Sequence, residues 1–293
     1  MVQSNTRAAR QISYANSAQT RPGKTPIRLM ENGTGRIGLI KRAQGFEDEL
    51  ERGRGFFDVM ADRFGLTLEV VRGSLASIPD DGPVIFIANH PYGILDGLML
   101  GRIMSRHRCS FRILAHSVFS ESPLLSPYVL PISFDPGKAS VALNLATRKA
   151  AVSHLADGGA LGIFPGGTVS TAAKPFSRPL DPEWRCFTAR LVGASRARVV
   201  PIYFDGHTSR MFQLACHIHY TLRMGLMIKE FKDRVDTPVR VAIGQTIERD
   251  VLDPIATDRK ALMTLFRRAT YELSSDPSAL DELGYEFEER YRN

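Results

Sequence analysis

The sequence predicts a single α/β domain built on a mostly parallel central sheet flanked by helices. Three observations carry that prediction. From residue 66 onward, short apolar strands alternate with longer helical stretches, the order from which parallel sheets are built. Several strands, such as Val84–Ala88 and Val199–Phe204, are continuous apolar runs, as strands covered on both faces are. With 293 residues, 43% of them hydrophobic and 24% charged, the chain has enough apolar material for one sizeable core.

Residues 1–42 read as a basic, poorly ordered N-terminal arm and residues 43–293 as the folded domain. The arm is polar and broken by Pro22-Gly23 and Gly33-Thr34-Gly35. It carries Arg7, Arg10, Arg21, Lys24, Arg28, Arg36, Lys41 and Arg42 against a single acid, Glu31, an excess equal to the net +7 of the whole chain. Such an arm suits an anionic partner, lipid headgroups or nucleic acid. Phe46, Leu50, Phe57, Met60 and Phe64 then share one face of a helix, weakened by Gly53 and Gly55. Its other face carries Glu47, Asp48, Glu49 and Glu51, so this helix is expected to pack on the domain. Strands are expected at 66–71, 84–88, 111–115, 130–134, 160–164, 198–204 and 239–243. Helices are expected at 94–106, 139–156, 182–193, 209–231 and 257–274. The helix over 209–231 is expected to bury Met211, Leu214, Ala215, Ile218 and Leu222.

Several classes are excluded. No apolar run approaches the roughly 18 residues of a spanning helix, and the N-terminus lacks the apolar stretch of a signal peptide. Cys109, Cys186 and Cys216 are too few and too dispersed for a disulfide framework or a zinc site. The expectation is a reducing, cytoplasmic setting and no structural metal.

Ligands of open α/β sheets bind beyond the carboxyl ends of strands, and two strand ends here carry unusual residues. In Val84–Gly97 a buried strand runs into Asn89-His90-Pro91-Tyr92-Gly93, and Asp96 follows at a helix start. A turn through Pro91 and Gly93 brings Asp96 back toward the imidazole, where the pair would serve as a base; alternatively, His90 is a turn residue and Asp96 a helix cap. In Leu161–Ser170 a strand leads into Pro165-Gly166-Gly167-Thr168-Val169-Ser170. That turn either exposes N–H groups to a ligand or is an ordinary turn; it is not a P-loop, since no Gly-Lys-Ser/Thr follows.

Taken as an ordered set, these segments resemble the glycerolipid (lysophospholipid) acyltransferase superfamily. Its marks are a histidine–aspartate motif, a Phe-Pro-Glu-Gly-Thr-Arg-like block, matched by Phe164–Ser170, and a Val-Pro-Ile element, matched by Val199-Val200-Pro201-Ile202. The resemblance covers about residues 80–250. Pro201–Gly206 with Ser209–Gln213 is similar to a bacterial subgroup of hemolysin-like and lyso-ornithine-lipid acyltransferases. The resemblance implies transfer of a fatty acyl group from a thioester to a lysolipid hydroxyl, with His90 as general base and Asp96 orienting it. N–H groups near Gly166 and Gly167 would stabilise the oxyanion, and Thr168 and Ser170 would line the acceptor site. The co-substrate would be acyl-carrier protein or acyl-CoA, with no other cofactor and no metal. The protein would sit peripherally on the inner face of the cell membrane.

This chain departs from the family pattern at several positions. Five residues, not four, separate His90 from Asp96, and Gly93 is placed to absorb the extra one. Gly166 stands at the glutamate position and Val169 at the arginine position. Pro136, with Lys138 nearby, replaces the arginine of the family's second motif. In the family those basic groups meet the acceptor phosphate. The favoured acceptor is therefore a lyso-aminolipid, its carboxylate met by Lys138 and Arg210; the alternative is lysophosphatidic acid.

Other residues carry weaker readings. His217 and His219 diverge by about 200° on a helix and make poor joint ligands. Trp184 is expected to pack in the interior, with a lipid interface as the alternative. A serine hydrolase using Ser170 or Ser195 lacks the Gly-x-Ser-x-Gly elbow. A nucleic-acid protein using the basic arm is the remaining alternative, but the charge-balanced body gives it no support, and no nucleic-acid partner is expected.

Overall fold

The computed structural model describes residues 21–135, 137–276 and 280–286. Among the described residues, nine strands form in chain order: β1 (Thr67–Arg72), β2 (Val84–Ala88), β3 (Phe111–His116), β4 (Val129–Ile132), β5 (Ala160–Ile163), β6 (Thr171–Ala172), β7 (Pro179–Leu180), β8 (Arg198–Phe204) and β9 (Pro238–Ile243). Seven of them make one sheet in the order β1-β9-β8-β2-β5-β3-β4, and β6 and β7 pair separately as an antiparallel hairpin. Every neighbouring pair of the main sheet is parallel except β8–β9. The expected mostly parallel α/β domain is therefore what forms.

The continuous apolar strands are buried on both faces, as their composition demands. Val84, Phe86 and Ala88 of β2 point into a core with α4 (Phe56–Arg63) and α5 (Ile94–His107). Ile85 and Ile87 point the other way, toward α6 (Lys138–Ala156), α7 (Phe187–Gly193) and α11 (Arg259–Tyr271). A third, smaller cluster joins Val169 to Phe212, Ala215 and Cys216 of α8 (Arg210–Ile218) and to Leu226 and Met227 of α9 (Tyr220–Lys232). A short α10 (Arg249–Leu252) precedes α11.

Four expectations need correction. The arm is not poorly ordered through residue 42: α1 (Arg21–Thr34) and α2 (Arg36–Ala43) are helical, and Ile27, Leu39 and Ala43 are buried. Met30 packs on Gly225 of α9, and buried Glu31 lies 3.8 Å from Arg28 and 3.9 Å from Arg36, so part of the basic excess is neutralised inside the fold. Residues 1–20 lie outside the described residues. The helix expected over 46–64 is two, α3 (Phe46–Glu51) and α4, broken where Gly53 adopts φ 84°. Asp58 and Asp62 on α4 receive the buried Arg102 guanidinium of α5 at 3.0 and 2.8 Å, which docks the pair on the domain.

The helix expected over 209–231 breaks at His219 (φ −161°, ψ 141°), whose Nδ1 caps the next helix by accepting the Thr221 N–H at 3.0 Å. The break rephases the buried face. Phe212, Gln213, Ala215 and Cys216 point inward, whereas Met211 and Ile218 are exposed. Finally, residues 182–186 precede α7 as non-helical chain, because the preceding strand β7 delivers Asp181 and Trp184 to the interior.

Candidate active site

Strands β2 and β5 are parallel neighbours, with Phe86 opposite Gly162 and Ile87 opposite Ile163. Their carboxyl ends therefore release Asn89-His90 and Phe164-Pro165 side by side, and the His90 and Phe164 rings stack at 4.2 Å. Asn89 fastens this end of β2 to β8: its amide donates to the Phe204 carbonyl at 2.9 Å and accepts the Phe204 N–H at 2.7 Å.

The turn after His90 folds Asp96 back. Asp96 Oδ2 lies 3.0 Å from His90 Nδ1 and accepts the N–H groups of Tyr92 (2.7 Å) and Gly93 (3.0 Å). Gly93 takes φ 76°, ψ −116°, a conformation costly for any residue with a Cβ. A Cβ there would also sit 2.3 Å from Met227 Cε. This glycine is how five intervening residues fit the motif. Asp96 is fully buried. Burial pushes its carboxyl up from the ordinary carboxylate range, and the imidazole and two N–H donors oppose that rise. Tyr92 donates its hydroxyl to the Asp205 carbonyl at 3.0 Å and accepts from Arg234 at 2.7 Å; burial raises its pKa to about 12, so it stays protonated.

A second buried carboxylate, which the sequence did not single out, holds the site from the other side. Asp181 Oδ1 accepts the His90 main-chain N–H at 3.1 Å and the Ser170 hydroxyl at 2.5 Å, and its Oδ2 accepts the Trp184 indole N–H at 3.0 Å. The Ser170 N–H in turn donates to the His90 carbonyl at 2.8 Å. Gly166 lies against this carboxylate, where a Cβ would stand 3.2 Å from the Asp181 side chain. Burial raises the Asp181 pKa, opposed by the same donors. Trp184 is thus an interior residue, and Ser170 spends its hydroxyl on Asp181, so it neither lines an acceptor surface nor faces the imidazole as a serine nucleophile would.

Buried Arg223 of α9 pins the rest of the turn. It donates to Thr168 Oγ1 (2.6 Å), Thr171 Oγ1 (3.0 Å) and the Val169 carbonyl (3.3 Å). A guanidinium therefore serves this turn from another helix, while Val169 fills the third apolar cluster. The Gly167 N–H closes the turn on the Phe164 carbonyl at 2.9 Å. Lys138 and Arg210 are exposed at the first turns of α6 and α8, and Pro136 lies outside the described residues. His217 Nε2 meets the Ala172 carbonyl at 2.9 Å, whereas His219 stands outside both helices and caps α9, so the expectation of two histidines on one helix is not met. Asp181 and Arg223 escaped the sequence reading because the contacts that tie them to the site, the His90 N–H and Ser170 hydroxyl for Asp181 and the Thr168 and Thr171 hydroxyls for Arg223, lie elsewhere in the chain. The available signals were an acid three residues before the lone tryptophan and an arginine inside the apolar stretch Leu222–Met227.

Residues 71–205 match the family model described as Acyltransferase. The chain is 26% identical over 191 residues to the lyso-glycine lipid O-acyltransferase of Phocaeicola vulgatus, covering 62% of this chain and 66% of that protein. It is 27% identical over 192 residues to the lyso-glycine lipid O-acyltransferase of Bacteroides thetaiotaomicron, covering 62% and 67%. The match thus spans about two thirds of each relative's length. Among solved structures, the 1-acyl-sn-glycerophosphate (LPA) acyltransferase PlsC of Thermotoga maritima aligns at 18% identity over 75% of this chain and 78% of that one, with a TM-score of 0.45. The region matched by the family model contains both strand ends, His90 with Asp96 and Phe164 to Ser170, and together with the two relatives it supports the resemblance to the glycerolipid acyltransferase superfamily.

Proposed function

We propose that this protein transfers a fatty acyl group from an acyl thioester, borne by acyl carrier protein or coenzyme A, to the free hydroxyl of a lyso-aminolipid at a membrane surface. One observation carries the reading: His90 Nδ1 rests 3.0 Å from the buried Asp96 carboxylate, while the histidine side chain keeps 19% exposure. Asp96 fixes the tautomer with the proton on Nδ1 and leaves Nε2 as the base. Nε2 takes the proton of the acceptor hydroxyl as its oxygen attacks the thioester carbonyl. The tetrahedral oxyanion then collapses, the carbon–sulfur bond breaks, and the departing thiolate recovers the proton from His90. Since the Gly167 N–H is committed to its own turn, oxyanion stabilisation falls to the neighbouring N–H groups of that turn.

The acceptor class rests on two supports. Gly166 and Val169 bring no charge to the turn, so a phosphate finds no arginine at those positions. The two curated relatives are named for a lyso-glycine lipid. For membrane contact, no helix among the described residues is long and apolar enough to span a bilayer. The hairpin that follows the proposed catalytic turn instead presents Phe176, 77% exposed, two residues from exposed Lys174. An aromatic tip beside a basic group suits an anionic lipid interface.

The test is a competition assay offering a lyso-aminolipid and lysophosphatidic acid with one acyl donor. The expected outcome is a higher kcat/KM for the lyso-aminolipid. A clear preference for lysophosphatidic acid returns the protein to phospholipid synthesis.

A further inference from the structure

Arg185 places a second guanidinium against the turn that Arg223 holds, on the side of Gly167. Its main-chain N–H donates to the Pro165 carbonyl at 3.0 Å, which fixes it beside the strand end. A Cβ built on Gly167 would lie 3.6 Å from Arg185 Nε and 3.5 Å from the Phe134 ring, and the guanidinium stands 5.2 Å from the centre of that ring. Gly167 belongs to the turn, and Phe134 to the loop after β4. These are the two segments whose family-pattern arginines are absent from this chain. The Arg185 side chain is 33% exposed.

A carboxylate already meets this guanidinium. Glu286 Oε1 lies 3.3 Å from Arg185 Nη2, and both side chains are only partly buried. The C-terminal segment carries Glu286 there along the β6–β7 hairpin. The Gly284 N–H donates to the Asp181 carbonyl at 2.8 Å, and the Tyr285 N–H to the Thr171 carbonyl at 3.0 Å. Thus the protein's own C-terminal segment presents an acid to Arg185.

We propose that Arg185 anchors the carboxylate of the acceptor's amino-acid headgroup, and that Glu286 holds the same guanidinium until that carboxylate replaces it. This rests on the lyso-aminolipid reading above. Half-exposed ion pairs are individually weak, so exchanging one carboxylate for another costs little, whereas a planar guanidinium receives a carboxylate in two-point geometry. Lys138 and Arg210 sit exposed on helix starts; Arg185 lies against the turn, its main chain bonded to Pro165.

The test uses the full chain with one acyl thioester and two acceptors, a lyso-aminolipid with a free carboxylate and its methyl ester. Arg185→Ala is expected to raise KM for the free acid about 10- to 100-fold, the worth of one charge-assisted contact, with kcat little changed. It should leave KM for the ester unaltered. Arg185→Lys should recover part of the loss, and Glu286→Gln should lower KM for the acid, because the competing carboxylate is gone. Three results overturn the anchor: an equal loss for acid and ester, a fall in kcat with KM unchanged, or Glu286→Gln raising KM as Arg185→Ala does. The last would mark the pair as a tie for the C-terminal segment. A wild-type protein that acylates neither acceptor refutes the acceptor class, and this anchor with it. A wild type that acylates the acid, with Arg185→Ala indistinguishable, refutes the anchor alone.

Discussion

His90 is held by two buried carboxylates that divide the work: Asp96 meets the ring, and Asp181 meets the main-chain N–H. An imidazole acting as the proposed base needs both, since a misplacement of about an ångström is enough to cost a hundredfold in rate. Asp181 has a testable electrostatic cost. Its folded pKa is raised by burial, so its contribution to stability is complete below the ordinary carboxylate pKa of about 4 and is lost as pH rises through the folded value. Asparagine cannot titrate. The stability of wild type relative to Asp181→Asn should therefore fall as pH rises from about 4, as measured by urea denaturation at a series of pH values. A difference that stays flat or grows with pH would contradict this. His90 and Asp96 were legible in the sequence because both sit within one strand-to-helix turn. Asp181 and Arg223 were not, because each gains its partners only when distant segments meet.

Among the elements, the strands were legible and the helices near the site less so. A continuous apolar run such as Val84–Ala88 permits little but a doubly covered strand. In residues 209–231, by contrast, periodicity alone could not reveal that His219 ends one helix and caps the next, and the buried face was misphased as a result. The β6–β7 hairpin gives a prediction with two opposite signs. Phe176 adopts φ 72° and is 77% exposed, a left-handed conformation that costs a non-glycine residue roughly 1–2 kcal/mol. Phe176→Gly should raise the unfolding free energy by up to about 1 kcal/mol once glycine's own entropy cost is deducted. If the tip enters the lipid interface, the same change should weaken binding to anionic vesicles about tenfold or more, the worth of an aromatic side chain removed from water. Calorimetry and vesicle sedimentation check the two arms. Unchanged vesicle binding would remove Phe176 from the membrane face.

Across the whole molecule, the basic excess gave the wrong picture of residues 21–42. Charge counting sees Arg28 and Arg36 as free, whereas both lie beside buried Glu31, and α1 packs on α9 with Met30 against Gly225 while its Ile27 is buried. Ile27→Ala should therefore destabilise the protein by about 2–5 kcal/mol, as core truncations do. A urea midpoint unchanged from wild type would show that α1 is dispensable. Helix α9, on which α1 packs, brings Arg223 to the turn after β5, so the N-terminal packing and the candidate site belong to one folding unit. The central claim is that His90, oriented by Asp96, is the base that activates the acceptor hydroxyl. It is tested most directly by single-turnover acyl transfer with His90→Ala, its fold verified by circular dichroism. The account predicts a loss of about 10²- to 10⁴-fold in rate with acceptor binding retained; a folded His90→Ala protein that transfers acyl groups at the wild-type rate would contradict it.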